Sequence, residues 1–186
     1  MKTAFIPLII SLAILVSGCS VEGIDDPAEP IIEATGEKVI LLNEGNYMSD
    51  NGQLSLIEDH IITNGWFRTV NGTKIGDTPT DIIPIKKDLL AITVNYSGII
   101  HFIKSDGTLT ASVEDIPNCR YMATDGTDLY VTSYAHTTAL GENYTKGYVA
   151  KISLDDYRIK STCEVGYEPE GIAYYKGKLY VANSGG

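Results

Sequence analysis

The feature that most restricts what this chain can fold into is that it repeats itself. Three stretches align: "PTDIIPIKKDLLAITVN" from Pro79, "NCRYMATDGTDLYVTSYA" from Asn118 and "PEGIAYYKGKLYVANSGG" from Pro169. Leu89, Leu129 and Leu179 fall in register, and so do Ile82, Met122 and Ile172, both with offsets of 40 and 50 residues. Each unit reads as a short apolar strand, a tight turn ("KK", "DGT" or "YKG") and a second strand. Asp125-Gly126 and Lys176-Gly177 supply the glycine that a hairpin of this kind needs. A third strand returns as glycine followed by alternating apolar residues: "GQLSLI" at Gly52, "GIIHFI" at Gly98 and "GYVAKI" at Gly147. A fourth follows as "HIITNGWFRTV", "TLTASVEDI" and "YRIKSTCEVG".

Four antiparallel strands per unit of about 40 to 50 residues is the signature of a propeller blade. The expected fold is therefore all-β, a β-propeller of four-stranded antiparallel blades. Past the N-terminal leader no segment sustains a helical period, which argues against a helical solenoid. The first unit enters at "KVILLNEGNY" from Lys38, which matches the second strand of later units with no first strand before it. Many propellers close by mixing strands from both chain ends in one blade. The missing innermost strand is thus expected from the C-terminal end of a longer chain. Residues 37–186 hold about three and a half blades, whereas closed rings typically need about four to eight. The count predicts a C-terminally truncated fragment of a six- to eight-bladed parent, with an unpaired strand edge on its last blade.

The N-terminus addresses the compartment. Lys2 precedes an apolar run from Ala4 to Val16, broken only by Pro7 and Ser11. That run is too short for a bilayer span, which takes about 20 apolar residues, and it fits the h-region of a secretory signal. It closes on "VSGCS", which resembles the lipobox of bacterial lipoproteins, with Cys19 as the acceptor of the lipid. Ser20 rather than Asp after that cysteine implies release to the outer membrane. The acidic, proline-bearing "SVEGIDDPAEP" then reads as a solvated tether. The expected organisation is a signal peptide over 1–18, a flexible tether over 19–36 and a partial propeller over 37–186. The corresponding location is the outer membrane, lipid-anchored and facing the cell surface.

"LYVANS" resembles the YVTN strand of the YncE-like seven-bladed propellers. "LLNEGNY" followed by "NGQLSLI" resembles the opening blade of Bacteroidetes surface lipoproteins in that superfamily. The resemblance runs from about Glu37 to Gly186 and implies a seven-bladed parent. One branch of the group captures cobalamin above a TonB-dependent transporter. The resemblance therefore implies non-enzymatic ligand capture, with a corrinoid as candidate ligand, or docking on such a transporter. Two other readings stay open. One is a propeller enzyme, a lyase or quinoprotein-like dehydrogenase, with its site in the missing half. The other is a surface-layer or adhesion protein.

A formal net charge of −10, one unit more negative once Lys2 leaves with the leader, argues against nucleic acid as a partner. No C-x-x-C or helix-borne histidine pair suggests a metal, and no motif calls for a cofactor. No clustered bases or nucleophiles mark a catalytic site. In a propeller, the second-to-third-strand loops and the inter-blade loops share one face. That face collects Asn46, Tyr47, Asn95, Tyr96, Tyr134, His136, Tyr144 and Tyr167 as candidate ligand-binding residues. Tyr and Asn suit an adaptable polar surface, and the chain has 12 tyrosines against 3 phenylalanines. His101, alternating with Ile100 and Phe102, reads as a satisfied inter-blade histidine, and His60 as the start of an outer strand. Asp125 to Asp128 superficially resembles a calcium loop but sits where a hairpin turn is required. Cys119 and Cys163 fall on the first and fourth strands of one blade, about 14 Å apart at ~4.8 Å per strand. A disulfide needs Cα atoms within about 7 Å, so two separate thiols are expected.

Overall fold

Alternating apolar residues between glycine-bearing turns give strands throughout the computed structural model, which describes residues 38–136 and 145–185. The chain is all-β with four antiparallel sheets. The first holds β1 (Val39–Asn43), β2 (Gln53–Glu58) and β3 (Ile61–Thr63), in that order. A helix, α1 (Trp66–Asn71), then leads to the second sheet, β4 (Pro79–Lys86), β5 (Leu89–Val94), β6 (Ile99–Ile103) and β7 (Leu109–Val113). The third sheet is β8 (Cys119–Thr124), β9 (Asp128–Ser133), β10 (Tyr148–Ser153) and β11 (Ile159–Glu164). The fourth pairs β12 (Tyr167–Tyr175) with β13 (Lys178–Gly185).

The repeat read from the sequence matches the strand register in the third and fourth sheets, and the second sheet departs from it through an extra bulge after Pro84. Ile82, Met122 and Ile172 pair with Ile92, Val131 and Val181, and Leu89, Leu129 and Leu179 pair with Lys86, Thr124 and Tyr174. Each first strand also carries a bulge at one equivalent place, after Pro79, Cys119 and Pro169. Turn chemistry sets the hairpins. Lys176 and Gly177 both have positive φ, as a two-residue type I′ turn demands. Asp125 Oδ1 accepts from the amides of Thr127 and Asp128 at 2.9 and 2.8 Å, and its Oδ2 accepts from the Tyr130 hydroxyl at 2.8 Å. Its carboxylate is thus occupied in holding the turn.

Two expectations need correction. "HIITNGWFRTV" is not a full fourth strand: β3 stops at Thr63, and α1 follows between Gly65 and Gly72, both left-handed. Trp66 and Phe67 bury their rings, and Asn71 fixes the helix to the β6–β7 turn. Its amide donates to the carbonyls of Phe67 and Gly107 at 2.9 Å each, and its Oδ1 accepts from the Leu109 amide at 2.8 Å. Asp and His tolerate the left-handed region better than most residues, and Asp59 and His60, both at positive φ, form the β2–β3 turn. His60 is therefore in a turn and does not start a strand.

Apolar faces meet between successive sheets. One core joins Leu54, Leu56, Trp66 and Phe67 to Ile92, Val94 and Ile103 of the second sheet. Another joins Ile85, Phe102 and Val113 of the second sheet to Met122, Leu129, Val131, Ala150 and Ile152 of the third. Glycines at the head of third strands let the next first strand come close: a Cβ on Gly52 would overlap the Pro79 ring, and one on Gly147 would overlap Pro169 and the Ser133 carbonyl. Cys119 takes the place of those prolines in the third sheet, with its thiol 3.6 Å from the Ile99 carbonyl.

A threonine links each bulge to the next sheet. Thr93 Oγ1 accepts from the Asp81 amide at 2.9 Å and donates to the Arg120 carbonyl at 2.8 Å. Thr132 Oγ1 repeats this, accepting from the Tyr121 amide at 3.0 Å and donating to the Glu170 carbonyl at 2.9 Å. The bulges free backbone groups, and one buried hydroxyl satisfies two of them at each seam.

Candidate functional site

The loops assigned to one face do meet there. Second-to-third-strand loops are pinned to inter-sheet loops by backbone and side-chain bonds. The Asn95 amide donates to the Thr78 carbonyl at 2.8 Å, and the Asp77 amide to Ser97 Oγ at 2.9 Å. The Ile116 amide donates to the Gly98 carbonyl at 3.1 Å, and the Gly147 amide to the Gly166 carbonyl at 2.9 Å. Loops held this way form a fixed surface on a sheet scaffold, the usual place for binding residues.

The eight candidate residues fall into groups of different kinds. Tyr47, from the first sheet's loop, stands edge-on to Tyr96, from the second sheet's loop, with ring centroids 4.9 Å apart. Both are exposed, at 50% and 39%, so this aromatic pair faces solvent. Asn46 is exposed beside them, its backbone amide donating to Asn51 Oδ1 at 2.7 Å. Asn95 differs: it is buried, and its side-chain amide donates to the Cys119 carbonyl at 2.9 Å, so it ties two sheets together.

Tyr134 belongs to a charged cluster at the third and fourth sheets. Its hydroxyl donates to Glu170 Oε1, and Arg120 meets the same carboxylate with Nε at 2.9 Å and Nη2 at 3.2 Å. The guanidinium lies 5.6 Å from the Tyr121 centroid and 5.4 Å from that of Tyr134. Burial and the hydrogen bond to the carboxylate push the Tyr134 phenol up to about 12. The cluster is therefore a neutral phenol and a bidentate ion pair, an arrangement that orients groups and moves no proton near neutrality. The His136 ring sits 5.9 Å from that of Tyr134, and the His136 carbonyl accepts from Asn118 Nδ2. Tyr167 starts β12, opposite Gly185. Tyr144 and the lipidation candidate Cys19 lie outside the described residues.

Sequence reasoning missed a cavity on this face. A space of about 290 Å³ opens where the loop Ser49 to Gln53 meets α1 and the Lys74–Ile75 segment. Phe67 and Ile75, almost wholly buried, make its apolar floor. Arg68 and Lys74 bring charge to it, and Lys74 Nζ is 2.7 Å from Asp50 Oδ2 and 3.0 Å from the Asp50 carbonyl. Arg68 was hidden in a stretch read as strand, so nothing in its spacing pointed to a pocket.

His101 supports that floor. Its Nε2 is 2.9 Å from the Ile75 carbonyl, its Nδ1 is 2.8 Å from Ser112 Oγ, and its ring lies 5.4 Å from that of Phe67. Burial pushes its pKa below the ordinary 6.5, so the ring is neutral at pH 7. Both thiols are free: Cys119 is buried and Cys163 exposed, on the outermost strands of the third sheet. Burial raises the Cys119 thiol to about 12. Among the described residues no group of three or more His, Cys, Asp or Glu side chains could hold a metal ion.

Compared with known proteins, the chain matches no family model and no curated protein.

Proposed function

We propose that this chain is part of a lipid-anchored, surface-exposed β-propeller of the outer membrane that captures a small molecule without transforming it. The observation that carries this reading is the loop face: Tyr47 against Tyr96 over pinned loops, with a cavity beside them. Exposed tyrosines on a rigid base give contact area at little entropic cost. The four sheets in chain order, with a bulge at the same place in three first strands, support the blade reading, and the lipobox resemblance at Cys19 supports the anchor. The YncE-like resemblance makes a corrinoid the first ligand to test and a TonB-dependent transporter the first partner.

Calorimetric titration of the protein with cyanocobalamin tests the ligand. Saturable one-to-one binding that weakens on Tyr47→Ala and Tyr96→Ala is the expected outcome. Absence of heat at any concentration would remove the corrinoid and leave the anchor and the propeller standing. Labelling with a palmitate analogue, lost in Cys19→Ala, tests the anchor separately.

A further inference from the structure

The cavity beside α1 differs from the tyrosine pair in its chemistry. It is about 290 Å³, at the small end of ligand pockets, which run from about 300 to 1,000 Å³. A macrocycle cannot enter it; a single ring with one substituent can. Phe67 and Ile75 line its base, and at 1% and 2% exposure they present only a small apolar contact to a ligand.

Charge selects the other end of the ligand. Lys74 is matched by Asp50 at 2.7 Å, so that pair is neutral overall. Arg68 also lines the cavity, and its guanidinium pairs with no acid among the described residues. Arg158 and several lysines are likewise in no ion pair among the described residues, and Arg68 is the one of these cations that lines the cavity. A guanidinium offers two parallel N–H donors to one carboxylate, and such a pair is stronger and more directional than a neutral contact. Arg68 itself is exposed, and the helix that carries it is fixed, because Asn71 fastens α1 to the Gly107 carbonyl and the Leu109 amide. Asn51 supports the opposite wall through its bond to the Asn46 amide.

We infer that this cavity binds a small organic monocarboxylate, its ring or chain on Phe67 and Ile75 and its carboxylate on Arg68. This rests on the reading of the loop face as a binding surface, and it names a second ligand class there, apart from a corrinoid.

Trp66, the only tryptophan of the chain, precedes Phe67 in α1 and packs its buried ring against Gly107, so its fluorescence reports on shifts of α1, and calorimetric heat reports on binding itself. The experiment is to titrate the full chain in detergent with benzoate at fixed ionic strength, following Trp66 fluorescence and, in parallel, calorimetric heat. Benzylamine, of the same size and opposite charge, is the control. Benzoate is expected to saturate the signal and benzylamine to leave it flat. Arg68→Gln is expected to weaken benzoate by about tenfold or more, the loss of a charge-assisted pair. Arg68→Lys, which keeps the charge without the fork, should fall between. Equal responses to benzoate and benzylamine, no saturable response to benzoate, or unchanged benzoate affinity in both Arg68 variants would overturn the proposal. Should Arg68→Gln misfold, as judged by its ligand-free fluorescence, the Arg68→Lys ratio decides. Benzoate binding without cyanocobalamin binding would leave this site and remove the corrinoid reading; the reverse result would remove this site alone.

Discussion

The seam between the second and third sheets and the seam between the third and fourth share one design at the inner strands and differ further out. At both, a buried threonine receives a bulge amide and donates to the next sheet's carbonyl. The middle strands of the second and third sheets then bury Phe102, Val131 and Ile152 completely, while β11 stays exposed along its length. The fourth sheet has two strands and cannot cover as much. Tyr174, Tyr175 and Tyr180 stay exposed there, and an apolar groove of about 310 Å³ remains between Val149, Cys163 and Val181. Hydrogen bonds fix where a blade sits, and burial on the strands facing the neighbouring sheet supplies most of the hydrophobic stabilisation.

The largest effect should come from testing that division directly. Phe102→Ala is expected to cost about 3–5 kcal/mol, because its site is closed on all sides and cannot collapse fully. Leu179→Ala, at the groove, should cost about 1 kcal/mol or less, since its surface is only partly removed from water. Urea unfolding of both variants checks the contrast. Equal losses would mean that the fourth sheet is as tightly packed as the third.

The threonines sharpen the comparison at the next level. Thr93→Val and Thr132→Val each leave a bulge amide and a carbonyl without a partner, at a cost of about 1–3 kcal/mol. At the closed seam this should appear only in global unfolding. At the open seam, Thr132→Val should speed hydrogen exchange of β12 and β13 by roughly tenfold or more while sparing the second sheet. Uniform acceleration across all sheets would break the idea that the two seams open separately.

These elements also show what could be read from the residues alone. Alternation, glycine placement and turn chemistry made the β8–β9 and β12–β13 hairpins legible, because a period of two and a positive-φ turn leave few other solutions, whereas the β4–β5 turn has no positive-φ residue and adds a bulge after Pro84. The helix α1 escaped because "WFRTV" has strand propensity, and what decides its conformation is the burial of Trp66 and Phe67 and the bonds from Asn71 to Gly107 and Leu109, both tertiary. Asn95 sits in the predicted loop, yet its side chain turns inward to Cys119, and composition carries no sign of that. Thr93 and Thr132 look like ordinary β-branched residues until two bulges are placed beside them. The cavity was illegible for the same reason, since its walls come from a loop, a helix and an inter-sheet segment far apart in sequence.

The seam between the first and second sheets adds a titratable group to the comparison. Burial lowers the His101 pKa below 6.5, so the unfolded chain takes up a proton first as the medium is acidified. The stability that His101 contributes is complete above pH 6.5 and is lost as pH falls through 6.5 toward the folded value. Asp81, raised above 3.8 by burial, has the opposite sense and acts at lower pH. Urea midpoints should therefore decline between pH 7.5 and 5.5, and His101→Gln should flatten that decline. An unchanged slope in the variant would assign the pH response elsewhere.

The smallest effect expected is at the ion pair of the open seam. Arg120 and Glu170 are about a quarter exposed, at 23% and 24% of their side chains, so solvent screens the pair and it contributes about 1 kcal/mol or less. Its geometry matters more than its charge. Arg120→Lys keeps the positive charge but loses the second donor to the carboxylate and the flat face that lies near Tyr121 and Tyr134. The variant should lose a few tenths of a kcal/mol up to about 1, most of it insensitive to salt, because a fork and a stacked plane are short-range contacts. Its Tyr134 phenol should stay un-ionised at neutral pH, because burial and the Glu170 carboxylate, the two largest causes of its raised pKa, are unchanged. Unfolding at low and high salt separates the two contributions. A loss that disappears in high salt would make the pair a simple Coulombic contact, and the fourth sheet would then be held mainly by Thr132.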